Sequence, residues 1–181
     1  MSNDIQIRPQ SQLLPIADLE RMAEAFAVSG LFGVKKKVDA LALMLLAQAE
    51  GQHPATIAMD YDIISGRAAR KTHSVLSRFQ QAGGRVDWET LTETVARAKF
   101  TPPAGTGGPV TIEWTIAQAA KIQAVEWVND AKKTIPMTEK YNWRSYPRAM
   151  LRARCIAEGI RAVFPAALGG MMVVEEAQDT P

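Results

Sequence analysis

Apolar positions along this chain fall at helical spacing at both ends and alternate in short runs between. Leu19, Met22, Ala23, Phe26 and Ala27 recur every three to four residues, which predicts a helix over Pro15–Ser29, broken by Gly30 and Gly33. Leu41 and Leu43 to Leu46 crowd a second helix over Val38–Glu50, densely enough that more than one side of it should be covered. His53-Pro54 opens a short turn or helix through Met59. The period then changes. Asp60–Ile64 reads as a strand, Ser65-Gly66 as a tight turn and Arg67–Arg70 as the returning strand. Lys71–Ala82 is helical, with Val75, Leu76 and Phe79 inward, and Gly83-Gly84 ends it. Arg85–Glu89, Thr92–Phe100 and Val110–Thr115 alternate in part and read as three strands, the last two joined across the loop TPPAGTGGP. A short helix is expected over Thr115–Ala124 and a surface crossover over Val125–Lys140, with Trp127 and Val128 as packing positions. The longest pattern is Tyr141 to Phe164, which predicts one long helix with Pro147 in its first turn and Asn142 or Ser145 as its cap. Tyr146, Met150, Ala153, Ile156, Ala157, Ile160, Val163 and Phe164 share its apolar face.

This order predicts an α+β fold: N-terminal helices, a β-hairpin, a helix, an antiparallel meander and a long helix packed on it. A single core domain over 15–168 is expected, with a flexible polar arm over 1–14 and a flexible acidic tail over 169–181. A 47% apolar content argues against disorder, and the net charge of +2 means that only local clustering of charge can signal an anionic partner. The single Cys155 excludes an internal disulfide framework and sets a reducing compartment as the expectation. The N-terminus lacks the apolar run of a secretory signal, and no stretch reaches membrane-spanning length.

Two basic clusters change the picture. On the long helix Arg144, Arg148 and Arg152 are four apart and form a column, continued by Cys155 and Gly159, while Arg154 and Arg161 align on another face. Only Glu158 opposes these five arginines locally. Arg67, Arg70, Lys71, Arg78 and Arg85 form the second cluster, on the hairpin, the following helix and the next strand. Guanidinium columns hold phosphates well, and they are also common on solvated or carboxylate-paired helix faces. The candidate DNA-binding residues are Arg67, Arg70, Lys71, Arg78, Arg144, Arg148, Arg152, Arg154 and Arg161. The Lys35–Lys37 triplet near a helix start reads as a solvated turn. The glycine-rich Gly105–Gly108 segment is followed by Pro109 and not by the lysine of a phosphate-cradling loop. His53 and His73 are isolated and read as surface or capping residues. Asp60 and Asp62 would share a strand face, a pair that could serve a metal-dependent nuclease only with a third ligand that cannot be located. Trp143 and Tyr146 read as core anchors, and aromatics are too few for a binder that stacks every base.

Three stretches carry a resemblance: GLFGVKKKVDALALMLLAQAEGQHP, DYDIISGRAARKTHSVLSRFQQAGGRVDW and NWRSYPRAMLRARCIAEGIRAVFP. They resemble the RecT family of phage and prophage recombinases, the single-strand annealing proteins related to the Red beta protein of phage lambda. The resemblance spans about Phe26 to Pro165, and Arg70 stands where the family would have an apolar residue. It implies ATP-independent binding of single-stranded DNA and annealing of complementary strands, through a duplex intermediate, in homologous recombination. No catalytic residue, cofactor or metal ion is then expected. Members form homo-oligomeric rings or helical filaments, and the two apolar N-terminal helices are candidates for joining neighbours. Further partners implied are a phage exonuclease or a host single-strand binding protein, in the cytoplasm of a bacterial host. The alternatives are a single-strand protector without annealing activity and a metal-dependent nuclease.

Overall fold

In the computed structural model the described residues are 13–30, 33–128 and 131–179, with the side chains of Trp127 and Val128 outside the description. Most of the expected 1–14 arm therefore lies outside the described residues. The architecture is α+β, with eight α-helices and seven strands in antiparallel pairings among the described residues. The chain divides into two compact units, one ending at Ile63 and the other beginning at Ile64, where the sequence suggested one core domain.

In the first unit α1 (Ile16–Ser29) packs on α2 (Lys37–Ala49). Leu19 and Ala23 meet Ala40, Leu43, Met44 and Ala47 in a buried seam. Gly30 caps α1 with a φ of 62°, a conformation that costs a residue without a side chain nothing. Val38 and Leu45 are exposed, so among the described residues α2 is covered on one side only. A 3-10 turn over Pro54–Thr56 follows, with His53 Nδ1 accepting from the Ala55 amide at 3.1 Å. His53 is thus a capping histidine. The helix α3 (Ile57–Asp60) follows, and strand β1 (Tyr61–Ile64) runs across the end of the unit. Buried Tyr61 donates its hydroxyl to Glu50 at 2.6 Å.

The second unit is built on a three-stranded sheet and one long helix. Strand β2 (Arg67–Arg70) leads into α4 (Thr72–Gln81). Then β3 (Arg85–Leu91), β4 (Val95–Thr101) and β5 (Val110–Thr115) form a meander of order β3-β4-β5. Alternation along β4 decides the faces: Ala96, Ala98 and Phe100 are buried, while Arg97 and Lys99 are exposed. The register sets Trp88 of β3 opposite Ala98 and Trp114 of β5 opposite Ala96, so both indoles lie on the inner face. The register of β3 slips by one residue between Trp88 and Thr90, a bulge at Glu89. The outer face is polar and charge-balanced: Arg97 bridges Glu89 at 2.7 Å and Glu113 at 3.2 Å.

After β5 the helix α5 (Ile116–Ala119) is short, closed by a capping box between Thr115 and Gln118. The expected crossover is in fact a hairpin, β6 (Gln123–Val128) paired with β7 (Ala131–Pro136). Residues 131 to 134 are all exposed, so the ribbon buries neither face there and shows no apolar period in sequence. The expected single long helix is two. Helix α6 (Tyr141–Ser145) stops at Tyr146, whose φ of −138° and ψ of 53° leave the helical region, and α7 (Pro147–Val163) begins with Pro147 at its first position. The proline ring disfavours helical backbone in the residue before it, which accounts for the break. Neither Asn142 nor Ser145 caps α7.

Helix α7 lies across β4 and β5. Met150, Leu151, Ala153, Cys155, Ile156, Ala157, Gly159 and Ile160 are buried on it. Cys155 and Gly159, expected to continue the arginine column, face the sheet instead. A Cβ at Gly159 would stand 2.3 Å from the Phe100 ring, so only glycine lets α7 approach this closely. The expected flexible tail is ordered to residue 179. A 3-10 turn over Pro165–Ala167 and the pair Gly169-Gly170 lead into α8 (Val174–Asp179), where Glu176 and Asp179 are buried. No helix among the described residues is long and apolar enough to cross a membrane.

Candidate nucleic-acid interface

The five arginines of the α6–α7 region separate into two groups. Arg144 and Arg148 are exposed, and neither has a carboxylate partner among the described residues. Arg152 is half-buried, its guanidinium 5.8 Å from the centroid of the Trp88 ring. That distance is within cation–π range, and the contact leaves the guanidinium N–H groups available for hydrogen bonding. Arg148 lines a groove of about 500 Å³ with Leu91, Thr92 and Glu93 from the β3–β4 turn and with Ser145, Tyr146 and Pro147. Arg148 and Arg152 therefore lie beside β3, one edge strand of the meander, while Arg144 stands on α6, across the break at Tyr146.

Arg154 and Arg161 are committed to the fold's own acids. Arg154 Nη2 meets Asp179 Oδ2 at 2.7 Å, and its guanidinium lies 5.7 Å from the Trp114 ring centroid. Arg161 grips Glu176 with two hydrogen bonds, at 3.1 and 2.6 Å, and this carboxylate raises its pKa further above the usual arginine value. Trp114 donates its indole N–H to Glu158 at 2.6 Å, so the one acid inside the arginine-rich stretch is occupied as well.

The hairpin cluster divides too. Arg67 is exposed and lines a cavity with Ile64, Ser65 and Met172. Arg70 is fully buried; its amide donates to Met172 O at 2.9 Å and its Nε to Leu168 O at 3.4 Å. Its burial takes it out of reach of a bound strand, against the expectation that it contacts DNA. Lys71, at the start of α4, and Arg78, in its last turn, are half-buried. Arg85 pairs with Asp87 at 2.9 Å. The two clusters do not converge on one cleft. Arg67 shares Met171 and Met172 with the cavity that holds Arg161, near the end of α7, while Arg148 lies at its start. Thirteen residues separate Arg148 from Arg161, about 20 Å of helix.

Two features escaped the sequence reading. Tyr146, expected on the apolar face, is 60% exposed at the α6–α7 break and lines the Arg148 groove, while Trp143 is buried as expected. The proline that follows Tyr146 was the available signal. The second is the acidic partnership of α8, which sequence spacing could not reveal. Asp60 and Asp62, expected on one strand face, lie on different elements, the end of α3 and the middle of β1. Among the described residues no group of three or more metal-ligating side chains forms. Comparison with family models, with curated proteins and with solved structures found no match.

Proposed function

We propose that this chain binds single-stranded DNA and anneals complementary strands without ATP, acting as a homo-oligomer of the RecT type in the cytoplasm. The observation that carries the reading is the pair Arg148 and Arg152 beside β3, with Arg144 on the preceding α6, Arg144 and Arg148 being exposed and without a carboxylate partner among the described residues, and with Tyr146 lining the same groove as Arg148. Arginines of this kind neutralise backbone phosphates and relieve the repulsion between two approaching strands. An exposed tyrosine gives one base a face to stack on without reading its identity. The reaction breaks no bond: base pairing drives it, and the protein supplies alignment and charge. Arg67 extends the surface toward the other end of α7; Arg70, buried, supports the hairpin.

The test is annealing of two complementary oligonucleotides by the purified chain, with and without ATP and magnesium. Acceleration that is equal in all conditions supports the proposal. Strand binding without acceleration favours a protector, for which Tyr146 is the supporting feature, and strand cleavage that requires magnesium favours a nuclease.

A further inference from the structure

The C-terminal helix α8 is held largely by charge. Asp179 is buried and accepts from three sides: Arg154 at 2.7 Å, Lys140 at 3.2 Å and the indole N–H of Trp143 at 3.2 Å. One turn earlier Glu176 takes Arg161 through both oxygens. Lys140 also donates to the Gln178 carbonyl, and Thr72 to Glu175. Each of these donors can serve a phosphate oxygen as well as a carboxylate. The helix has six residues and follows Val173, which is buried in the core and bridged to Arg70 of β2, so the segment that can leave is 174–179. A short acidic helix anchored at Val173 thus lies over three cations, Arg154 and Arg161 on α7 and Lys140 at the start of α6.

We propose that α8 is a displaceable acidic latch over a second phosphate-binding surface formed by Lys140, Arg154 and Arg161. The C-terminal segment occupies this surface in the free protein, and the backbone of a single strand takes its place. The proposal rests on the single-strand-binding reading above and adds regulation to it: the protein's own carboxylates set how many phosphates a strand can engage. A latch of this kind also makes binding respond to anything that draws α8 away.

The experiment uses the full chain in three forms: unchanged, Glu176→Gln, and Glu176→Gln with Asp179→Asn. Binding to a fluorescent oligothymidylate is titrated across salt concentrations, with thermal melting and annealing of a complementary pair measured alongside. Releasing the latch should tighten binding at low salt and steepen the salt dependence by about 0.7 in log–log slope for each freed cation. Between 50 and 200 mM salt that is roughly a two- to threefold larger loss of affinity per cation. The single variant should show part of this effect, since Arg161 is half-exposed and the fold depends less on its pair. Folded variants with unchanged or weaker binding, while the unchanged chain still anneals, overturn the latch and leave the annealing reading standing. If both variants are unfolded at the assay temperature, α8 is part of the core and the latch is likewise overturned. If none of the three forms binds the strand, the annealing reading fails and the latch with it.

Discussion

The two sides of α7 carry the same residue type at similar density and have opposite fates. Beside β3, Arg148 has no carboxylate partner among the described residues, as is true of Arg144 on α6, and Arg152 lies over Trp88. On the other side, Arg154 and Arg161 are neutralised by Asp179 and Glu176, which arrive from fifteen to twenty-five residues further along the chain. Local charge excess therefore says where guanidinium groups lie but not which of them are available. Availability is decided by where the acids of the chain fold: Asp179 and Glu176 close on Arg154 and Arg161, while Glu93 lines the Arg148 groove without an ion pair to Arg148.

The largest expected effect tests the paired side. Arg154→Ala leaves Asp179 buried with Lys140 and Trp143 alone, and removing one partner of a buried pair costs about 3 kcal/mol. Chemical denaturation should show this loss; a change below 1 kcal/mol would mean that Lys140 alone compensates Asp179, and the contrast between the two sides would weaken. Next is the floor that both sides share. Gly159→Ala puts a methyl into the Phe100 ring and should destabilise by about 1–3 kcal/mol, despite alanine's better helix propensity. An unchanged melting curve would show that α7 can rise from the sheet at no cost, so that neither row is held in place.

Arg161→Ala separates the two members of the paired side. Its side chain is 45% exposed, so solvent screens the Glu176 pair, and the loss should stay below about 1 kcal/mol. A loss as large as that of Arg154→Ala would place the whole side in the core. The smallest effect on stability is expected on the open side. Arg148→Ala should change stability by less than about 0.5 kcal/mol, as exposed substitutions do. Its signature belongs to binding: the slope of log affinity against log salt for a single strand should flatten by about 0.7. A folded variant with an unchanged slope would remove Arg148 from the interface.

Much of this fold was written in local patterns. The strands of the meander follow from the alternation in β4 and from the breakers around them, and the buried stripe of α7 follows from its 3.6-residue period. What was not legible had a tertiary cause. The β6–β7 hairpin buries neither face over 131–134, so no period marks it. The C-terminal segment reads as a frayed acidic tail because its partners, Arg154 and Arg161, lie on another element. The break at Tyr146 is legible, since the proline that follows weighs against helix at that residue. Of the candidate site, spacing groups Arg148 and Arg152 on one face of α7, while Arg144 lies on α6, across the break at Tyr146. Arg67 does not join Arg148, because β2 packs against the C-terminal segment and shares Met171 and Met172 with the cavity of Arg161.

Cys155 gives the molecule a built-in clock. The only thiol of the chain is buried beneath α7, its Sγ 3.6 Å from the Ile112 carbonyl, and burial pushes its pKa up to about 12. At neutral pH it is therefore both shielded and protonated, and a thiol reagent meets it only when α7 parts from β5. The rate of labelling then counts those openings, residue by residue comparable with amide exchange. A strand that grips Arg148 and Arg152 should slow that count, and the native thiol reports it without any substitution in the chain.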